Sequence, residues 1–489
     1  EINAPDIAYQ WQWQIGRILK AQAQQATTTS NSDTKAVTEL IDHAIAYYTQ
    51  ASNTLTNLRN NLVALNPDIQ FSFREQVEPV YRELVDLLLR SPQPSNDNLK
   101  QAREVIEKLQ LAEIDKLFRD ACTNPKKVKI DNIDPTAALI YTIILKDRLA
   151  VIIRLPKQDD LLYISHDNLS EYKVDQAVKN FKESIQNTSG KSKDIKEKLP
   201  PIYNWIIKPF EEELETTGDR NQSSIKTLVF ILDGSLRNLP VTALYDREKD
   251  KYLIERYAVA VTPGLELIDP KPFPRQQLRV LLAGAKEAPS FNKEGFGTIK
   301  NVESELSKIG EKVNYSQKLE NQDFTQENLQ NKLKAAPFNV VHIATHGQFS
   351  SNPEDTFILD WNGRITVKDL DQLLRVSDPN GTTPIELLVL SGCETADGDK
   401  RAALGLAGIA IRGGARSTLA TLWQVNDAST AEFMKELYQQ LKDNLQLTKA
   451  EALRKTQLEF IMGRKNKFLE TRYDLPYYWA PFILIGNWL

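Results

Sequence analysis

Two short stretches, FNVVHIATHG (338–347) and IELLVLSGCET (385–395), carry the pattern that decides the fold. Each is an apolar, β-branched run of strand length that breaks at a glycine, as buried strands of parallel sheets do. The first run ends in His346, and the second ends in Cys393, one of two cysteines in the chain. Because the carboxyl ends of neighbouring strands meet at one edge of an open α/β sheet, we expect these two side chains to form a nucleophile–base pair.

This pair of residue types suits acyl transfer. Cysteine attacks as the thiolate, and a nearby imidazole can take the thiol proton and later protonate a leaving amine. Backbone N–H groups of Gly347 and Cys393 would hold the oxyanion that forms on the substrate carbonyl. The alternative is that Cys393 is a small buried apolar residue, because free cysteine is among the most buried residue types.

His342 lies four residues before His346 and competes with it for the role of base. On a strand the two would be about 13 Å apart, so they could not share a metal ion. On a helix the same spacing could bind zinc, but no glutamate follows the first histidine. We therefore predict that His342 is a core histidine with its polar atoms paired, and we predict no metal site.

Length and composition restrict the possible functions. A chain of 489 residues is expected to form two to four domains. The net charge of −4 gives no reason to expect nucleic acid or a membrane surface as a partner. No apolar run of about 18 residues is present, so we predict no transmembrane helix. Two cysteines fit a reducing compartment, and we expect a cytoplasmic protein that needs no cofactor.

The stretches around the two runs predict an α/β sheet. From about residue 278 onwards, strands alternate with helices of a length that implies right-handed crossovers. Earlier strands are predicted in AALIYTIILKDRLAVIIRL (137–155), LLYIS (161–165) and TLVFILDGSLRNLP (227–240), and a last strand in YYWAPFILIG (477–486).

The first 120 or so residues predict helices alone. Gly16 on one segment, with Ala44, Tyr48 and Ala51 on the next, resembles a tetratricopeptide helix pair, in which small residues permit close packing. The alternative is a plain helical hairpin. Because one such repeat cannot bury its own face, we expect further repeats to precede Glu1.

Four ordered motifs together resemble the CHAT domain family of caspase-like peptidases, which is related to caspases, separases and gingipains. They are HIATHG, LLVLSGCET, GLAGIAIRGGARSTLATLWQVND and PYYWAPFILIGNW, within residues 137–489. The resemblance implies a mostly parallel sheet flanked by helices, with His346 as general base and Cys393 as nucleophile. It also implies three parts: a helical tetratricopeptide-like region (1–125), a pseudo-protease half (126–275) and a catalytic half (276–489). This domain commonly follows tetratricopeptide repeats in bacterial, notably cyanobacterial, proteins.

The resemblance also suggests a specificity residue. In separase-like enzymes an acidic residue after a Leu-Trp-x-Val strand binds a basic P1 side chain, and Asp427 in LWQVND (422–427) matches that position. The alternative is that Asp427 is the N-cap of the helix that follows. The polar loop ADGDKRAA (396–403) could be a self-cleavage segment or an ordinary exposed loop.

We therefore expect a cysteine endopeptidase that cleaves protein or peptide substrates after a basic residue through a thioester intermediate. The helical repeats would bind a substrate or a regulatory protein. The main alternative is a catalytically silent caspase-like interaction scaffold. Hydrolysis of an ester or small amide is a further alternative, although the chain lacks the Gly-x-Ser-x-Gly motif that such enzymes often use.

Overall fold

The structure of the chain is a computed structural model. It describes residues 5–28, 34–65, 76–118, 134–188, 192–216, 224–265, 270–273, 278–350, 352–376, 384–395, 399, 415–463 and 473–489. Three stretches named by the sequence lie outside these residues: most of the loop at 396–403, the run AALGLAGIAIRGG (402–414), whose pattern predicts a helix, and Cys122, the other cysteine of the chain. Within them, no helix combines the length and apolar character needed to cross a membrane.

In the part of the N-terminal region that the structure describes, four helices are present: α1 (Pro5–Thr28), α2 (Thr34–Leu65), α3 (Glu78–Leu88) and α4 (Asn96–Phe118). The three small or aromatic positions singled out on α2, Ala44, Tyr48 and Ala51, are fully buried. On α1, a Cβ atom added to Gly16 would lie 2.7 Å from a ring carbon of Tyr48. A glycine is therefore needed for α1 to approach α2 this closely. The assignment to tetratricopeptide repeats stays a prediction.

The remainder is an α/β unit. Its strands are β1 (Ala137–Ile144), β2 (Leu149–Arg154), β3 (Leu161–His166), β4 (Thr227–Ile231), β5 (Tyr245–Asp246), β6 (Lys251–Tyr252), β7 (Ala258–Val261), β8 (Arg279–Gly284), β9 (Tyr315–Glu320), β10 (Val340–Ala344), β11 (Gly347–Phe349), β12 (Phe357–Leu359), β13 (Arg364–Thr366), β14 (Leu387–Leu390), β15 (Cys393–Thr395), β16 (Ser417–Thr421) and β17 (Phe482–Gly486). Its helices are α5 (Glu171–Gln186), α6 (Ser192–Lys198), α7 (Ile202–Ile206), α8 (Glu211–Thr216), α9 (Leu253–Arg256), α10 (Pro289–Glu294), α11 (Val302–Gly310), α12 (Gln326–Ala335), α13 (Val367–Val376), α14 (Asp427–Asp443), α15 (Lys449–Ile461) and α16 (Pro476–Trp479).

Eleven of the described strands form one sheet in the order β3-β2-β1-β4-β7-β17-β16-β14-β10-β8-β9. Neighbours are antiparallel within β3-β2-β1 and between β16 and β17, and parallel elsewhere. The prediction of a mostly parallel sheet flanked by helices, with a helical N-terminal region, is confirmed. The C-terminal strand β17 lies between β7 and β16 and so joins the earlier strands to the later ones. The division at residue 275 stays a prediction.

A second sheet of four short strands, in the order β13-β12-β11-β15, lies beyond the carboxyl ends of β10 and β14. It was not predicted, because its strands of three residues are too short to show an alternating pattern. Cys393 belongs to this second sheet and not to the buried strand β14. Strand β14 ends at Leu390, and Cys393 is the first residue of β15.

The closing stretch differs from the prediction of a single strand over 477–486. Its first residues belong to α16, and only β17 is extended. Pro476 occupies the first turn of α16, where a missing N–H is tolerated. The indole of the fully buried Trp479 donates to the Asp474 carbonyl over 3.1 Å, which holds this turn in place.

A buried ionic network fastens the N-terminal helices to the main sheet. Asp233, which follows β4 and is fully buried, accepts hydrogen bonds from both terminal nitrogens of Arg82 on α3, at 2.9 and 3.1 Å. Nearby, Arg237 donates to Glu113 on α4 over 2.7 Å. Burial opposes the charge of Asp233, but the two arginines outweigh it and lower the pKa of this carboxyl to about 2. The network therefore holds charged partners on both sides of the contact between the helices and the sheet.

Candidate active site

The main sheet brings the two decisive stretches side by side. Strands β10 and β14 are parallel neighbours, with Ile343 opposite Leu390 at their carboxyl ends. The prediction that these two strands end at the same edge of the sheet is confirmed. Beyond that edge, β11 and β15 pair in parallel with Gly347 opposite Cys393. Paired strands lie about 4.8 Å apart, so the backbones of these two residues are neighbours. The side chain of Cys393 lies outside the described part of the chain.

Gly392 is the residue that permits this approach. A Cβ atom added to it would lie 2.4 Å from the carbonyl oxygen of Thr345, the residue before His346. Real Cβ atoms do not come that close to a backbone oxygen, so any other residue at position 392 would push the two backbone segments apart. The glycine before the cysteine thus sets how near Cys393 lies to His346.

His346 is held in a narrow, largely apolar site. Only 4% of it is exposed, and its Nε2 lies 2.7 Å from the carbonyl oxygen of Gly297. Its ring stacks on Phe296 and meets the edge of Phe291, each with ring centres 4.8 Å apart. Because a carbonyl oxygen only accepts, Nε2 carries the hydrogen and Nδ1 is the basic nitrogen of the neutral ring.

The surroundings of His346 favour the neutral imidazole. Burial lowers the pKa of His346, while the Gly297 carbonyl and the negative charge of Asp427 partly oppose that effect. At neutral pH the ring is therefore uncharged, which is the state that can accept a proton from a thiol.

Asp427 opens α14 next to this site. The N-cap of α14 is Asn426, whose side-chain oxygen accepts from the backbone N–H groups of Ala428 and Ser429 at 3.1 and 3.2 Å. The alternative that Asp427 is the N-cap is therefore wrong, since Asp427 itself is the first helical residue. Its half-buried carboxylate instead accepts from the backbone N–H of Lys300 over 3.0 Å.

The prediction that His342 is a core histidine is confirmed. It is fully buried in β10, and its Nε2 lies 2.9 Å from a carboxylate oxygen of Glu305. Its other ring nitrogen lies 3.3 Å from the hydroxyl of Tyr438. Among the described residues, no three His, Cys, Asp or Glu side chains gather closely enough to hold a metal ion.

One residue of the polar loop after Cys393 is described, and it contacts two other parts of the molecule. The carbonyl of Asp399 accepts from the side-chain amide of Asn238 over 2.6 Å. Its carboxylate accepts from the hydroxyl of Ser350, just after β11, over 3.0 Å. This point of the loop therefore lies between the turn after β4 and the strand after His346.

Sequence reasoning missed the residues that hold His346. The segment FNKEGFG (291–297) contains both phenylalanines and Gly297, and its pattern shows neither strand nor helix. No signal in the sequence assigns it to the histidine. Gly392 could have been identified, because a glycine directly before a candidate nucleophile at a strand end indicates close backbone approach.

Comparisons with known proteins agree with this architecture. The family model of the CHAT domain matches residues 196–487, which is more than half of the chain. No curated protein matches. Two structures of the Saccharomyces cerevisiae separase–securin complex are similar, with 12% and 11% identity and TM-scores of 0.52 and 0.50. In both, the similarity covers 91% of this chain and 37% of the other.

The chain thus spans just over a third of the separase chain that it matches. A structure of Porphyromonas gingivalis RgpB, a complex of pro- and mature domains, is similar at 10% identity over 65% of this chain and 76% of the other, with a TM-score of 0.35. The family match, with the separase-like arrangement of the main sheet, shows that the chain belongs to the CHAT domain family and has a caspase-like cysteine peptidase fold.

Proposed function

We propose that the chain is a cysteine endopeptidase with Cys393 as nucleophile and His346 as general base. The observation that carries this proposal is the pairing of Gly347 with Cys393, directly after a buried histidine whose Nδ1 is the basic nitrogen. A scaffold without activity has no need to keep a neutral imidazole beside a cysteine.

In the proposed reaction, Nδ1 of His346 takes the thiol proton and the thiolate attacks the substrate carbonyl. The negative charge that forms on the carbonyl oxygen is held by the backbone N–H groups of Gly347 and Cys393. The imidazolium then gives its proton to the leaving amine as the C–N bond breaks, leaving a thioester on Cys393. Water, activated by the same imidazole, hydrolyses the thioester and restores the thiol. No cofactor takes part.

We also propose that Asp427 selects a basic P1 side chain. Its carboxylate accepts from the Lys300 N–H, three residues along the chain from the Gly297 carbonyl that contacts His346, so it lies near the reacting centre. Its negative charge opposes part of the lowering of the His346 pKa. A carboxylate there attracts Arg or Lys and repels Asp or Glu.

The N-terminal helices would bind a substrate or a regulatory protein, in keeping with the tetratricopeptide resemblance. The separase structures are complexes with securin, a protein partner, which fits regulation by a bound protein. A cytoplasmic location completes the proposal, because the dyad needs a reduced thiol.

Cleavage of a mixed peptide library, with new termini read by mass spectrometry, tests the proposal. We expect cuts after Arg and Lys with the unaltered chain, and no cuts with Cys393→Ala. Cys122→Ala is the matched control, since it removes the other cysteine and should leave cleavage unchanged. Cuts after other residue types at rates equal to those after Arg and Lys would refute the specificity. Equal cleavage by Cys393→Ala would refute the assignment of the nucleophile, and no cleavage by the unaltered chain would favour the scaffold.

A further inference from the structure

The segment that holds His346 is tied to Asp427. We call residues 295–300 the histidine loop, because the Gly297 carbonyl and the Phe296 ring both contact His346. Backbone hydrogen bonds fix the loop from α10 and the residues before it. The shortest are those from Phe296 N–H to the Phe291 carbonyl and from Ile299 N–H to the Lys286 carbonyl, both 2.8 Å. The bond from Lys300 N–H to Asp427, 3.0 Å long, fixes it from the other side.

We propose that Asp427 is a positioning residue, whose carboxylate holds the histidine loop so that the Gly297 carbonyl keeps His346 in the Nε2–H form. Lys300 and Gly297 are three residues apart, so the anchored N–H and the orienting carbonyl are separated by about 10 Å of backbone at most. Without the Asp427 carboxylate, the hydrogen bond that ties Lys300 of the loop to α14 is lost. The part of this inference that concerns the tautomer is independent of the proposed function, and only its effect on catalysis rests on that function.

The two carboxylate oxygens allow Asp427 to act on both the base and the substrate. Oδ2 accepts from Lys300, and within the described residues no hydrogen bond involves Oδ1. Oδ1 can therefore receive a cationic P1 side chain while Oδ2 keeps the loop in place. One side chain would then link recognition of the substrate to the orientation of the base.

Two substitutions separate these roles. Asp427→Asn removes the charge but keeps an oxygen that can accept from Lys300 N–H. Asp427→Ala removes both the charge and the acceptor. Glu432→Ala is the matched control, because Glu432 is a carboxylate on the same helix that instead binds the Lys308 ammonium, at 2.7 Å. A role of Asp427 in the stability of α14 alone would change unfolding but not the tautomer of His346.

The first readout is the side-chain nitrogen spectrum of His346 in protein labelled with ¹⁵N-histidine, assigned by His346→Gln. The chain has four histidines, so the spectrum is simple. We expect the Nε2–H tautomer in the unaltered chain, in Asp427→Asn and in Glu432→Ala, and a mixture of tautomers in Asp427→Ala. An unchanged tautomer in Asp427→Ala, or an equal change in Asp427→Asn, would overturn the inference.

The second readout is turnover of a peptide with Leu at P1, which cannot pair with a carboxylate. Because a misplacement of about 1 Å can reduce catalysis up to roughly 100-fold, we expect kcat to fall about 10-fold in Asp427→Ala with little change in KM. Glu432→Ala should stay within about 2-fold of the unaltered chain, and Asp427→Asn should lose less turnover than Asp427→Ala. The tautomer is read without turnover, so a chain that cleaves nothing would refute the proposed function while the spectrum still decides this inference.

Discussion

Asp233→Asn tests whether the buried ionic network holds the N-terminal helices on the sheet. The carboxylate is fully buried and accepts from two nitrogens of Arg82 and, over 3.0 Å, from the backbone N–H of Ile144. Its pKa falls from 3.8 to about 2, which corresponds to about 2.4 kcal/mol in favour of the ionised form. The variant also removes the carboxylate that lies between Arg82 and Arg237, which keep Glu78 and Glu113 as partners. Breaking a buried pair costs about 3–5 kcal/mol.

We therefore expect Asp233→Asn to lower the free energy of the first urea unfolding transition by about 3 kcal/mol at pH 7. Hydrogen exchange should rise in α3, α4 and β1, the elements that the network joins. Asp147→Asn is the matched control, since its carboxylate also binds an arginine but is 73% exposed. It should change the free energy by less than about 1 kcal/mol.

The pH dependence provides a further check. The pKa of Asp233 is lowered in the folded chain, so its contribution is complete above about pH 4 and is lost as the pH falls from 3.8 towards 2. The difference in unfolding free energy between the unaltered chain and Asp233→Asn should therefore become smaller as the pH falls over that range. A gap of less than 0.5 kcal/mol at pH 7 would refute the reasoning.

Three other substitutions, one of them with a matched control, test the site and the helix packing. Gly392→Ala should reduce kcat/KM at least about 10-fold, because its Cβ would lie 2.4 Å from the Thr345 carbonyl oxygen. The control Gly363→Ala, whose Cβ meets no atom within 4 Å, should retain activity, and equal activities of the two variants would contradict the role of Gly392. Phe296→Ala admits water to His346, which should raise the pKa of His346 towards its ordinary value. The acid limb of the kcat/KM profile should therefore move to higher pH. An unmoved limb would show that burial by the Phe296 ring does not lower the pKa of His346. Gly16→Ala places a Cβ atom 2.7 Å from the Tyr48 ring and should lower the free energy of unfolding of the helical region by about 1–3 kcal/mol. An unchanged thermal unfolding curve would show that α1 can shift away from Tyr48 at no cost in stability.

The sequence predicts the central strands of the main sheet well because they are buried on both faces. A run such as VVHIA (340–344) is apolar throughout, and the glycines that follow β10 and β14 indicate where the backbone turns. The same logic places His346 and Cys393 at one edge, since parallel neighbours end together. The burial of Ala44, Tyr48 and Ala51 follows from their helical spacing in the same way.

What the sequence does not predict are contacts made by backbone groups and by very short elements. The Gly297 carbonyl orients His346, and no residue type is needed to supply a carbonyl. The strands of the second sheet are three residues long, and their pairing depends on the tertiary structure around them. The contact of Asp427 with Lys300 N–H joins residues 127 positions apart, which no local pattern contains.

The measurement that tests the central claim most directly is covalent labelling with peptidyl acyloxymethyl ketones that carry Arg, Lys, Asp or Leu at P1. Peptide mapping would locate the adduct, and His346→Ala would be measured beside the unaltered chain. We predict an adduct on Cys393 with the Arg and Lys probes, formed much more slowly in His346→Ala. An adduct on Cys122 alone, or a rate on Cys393 that does not depend on His346, would contradict the account.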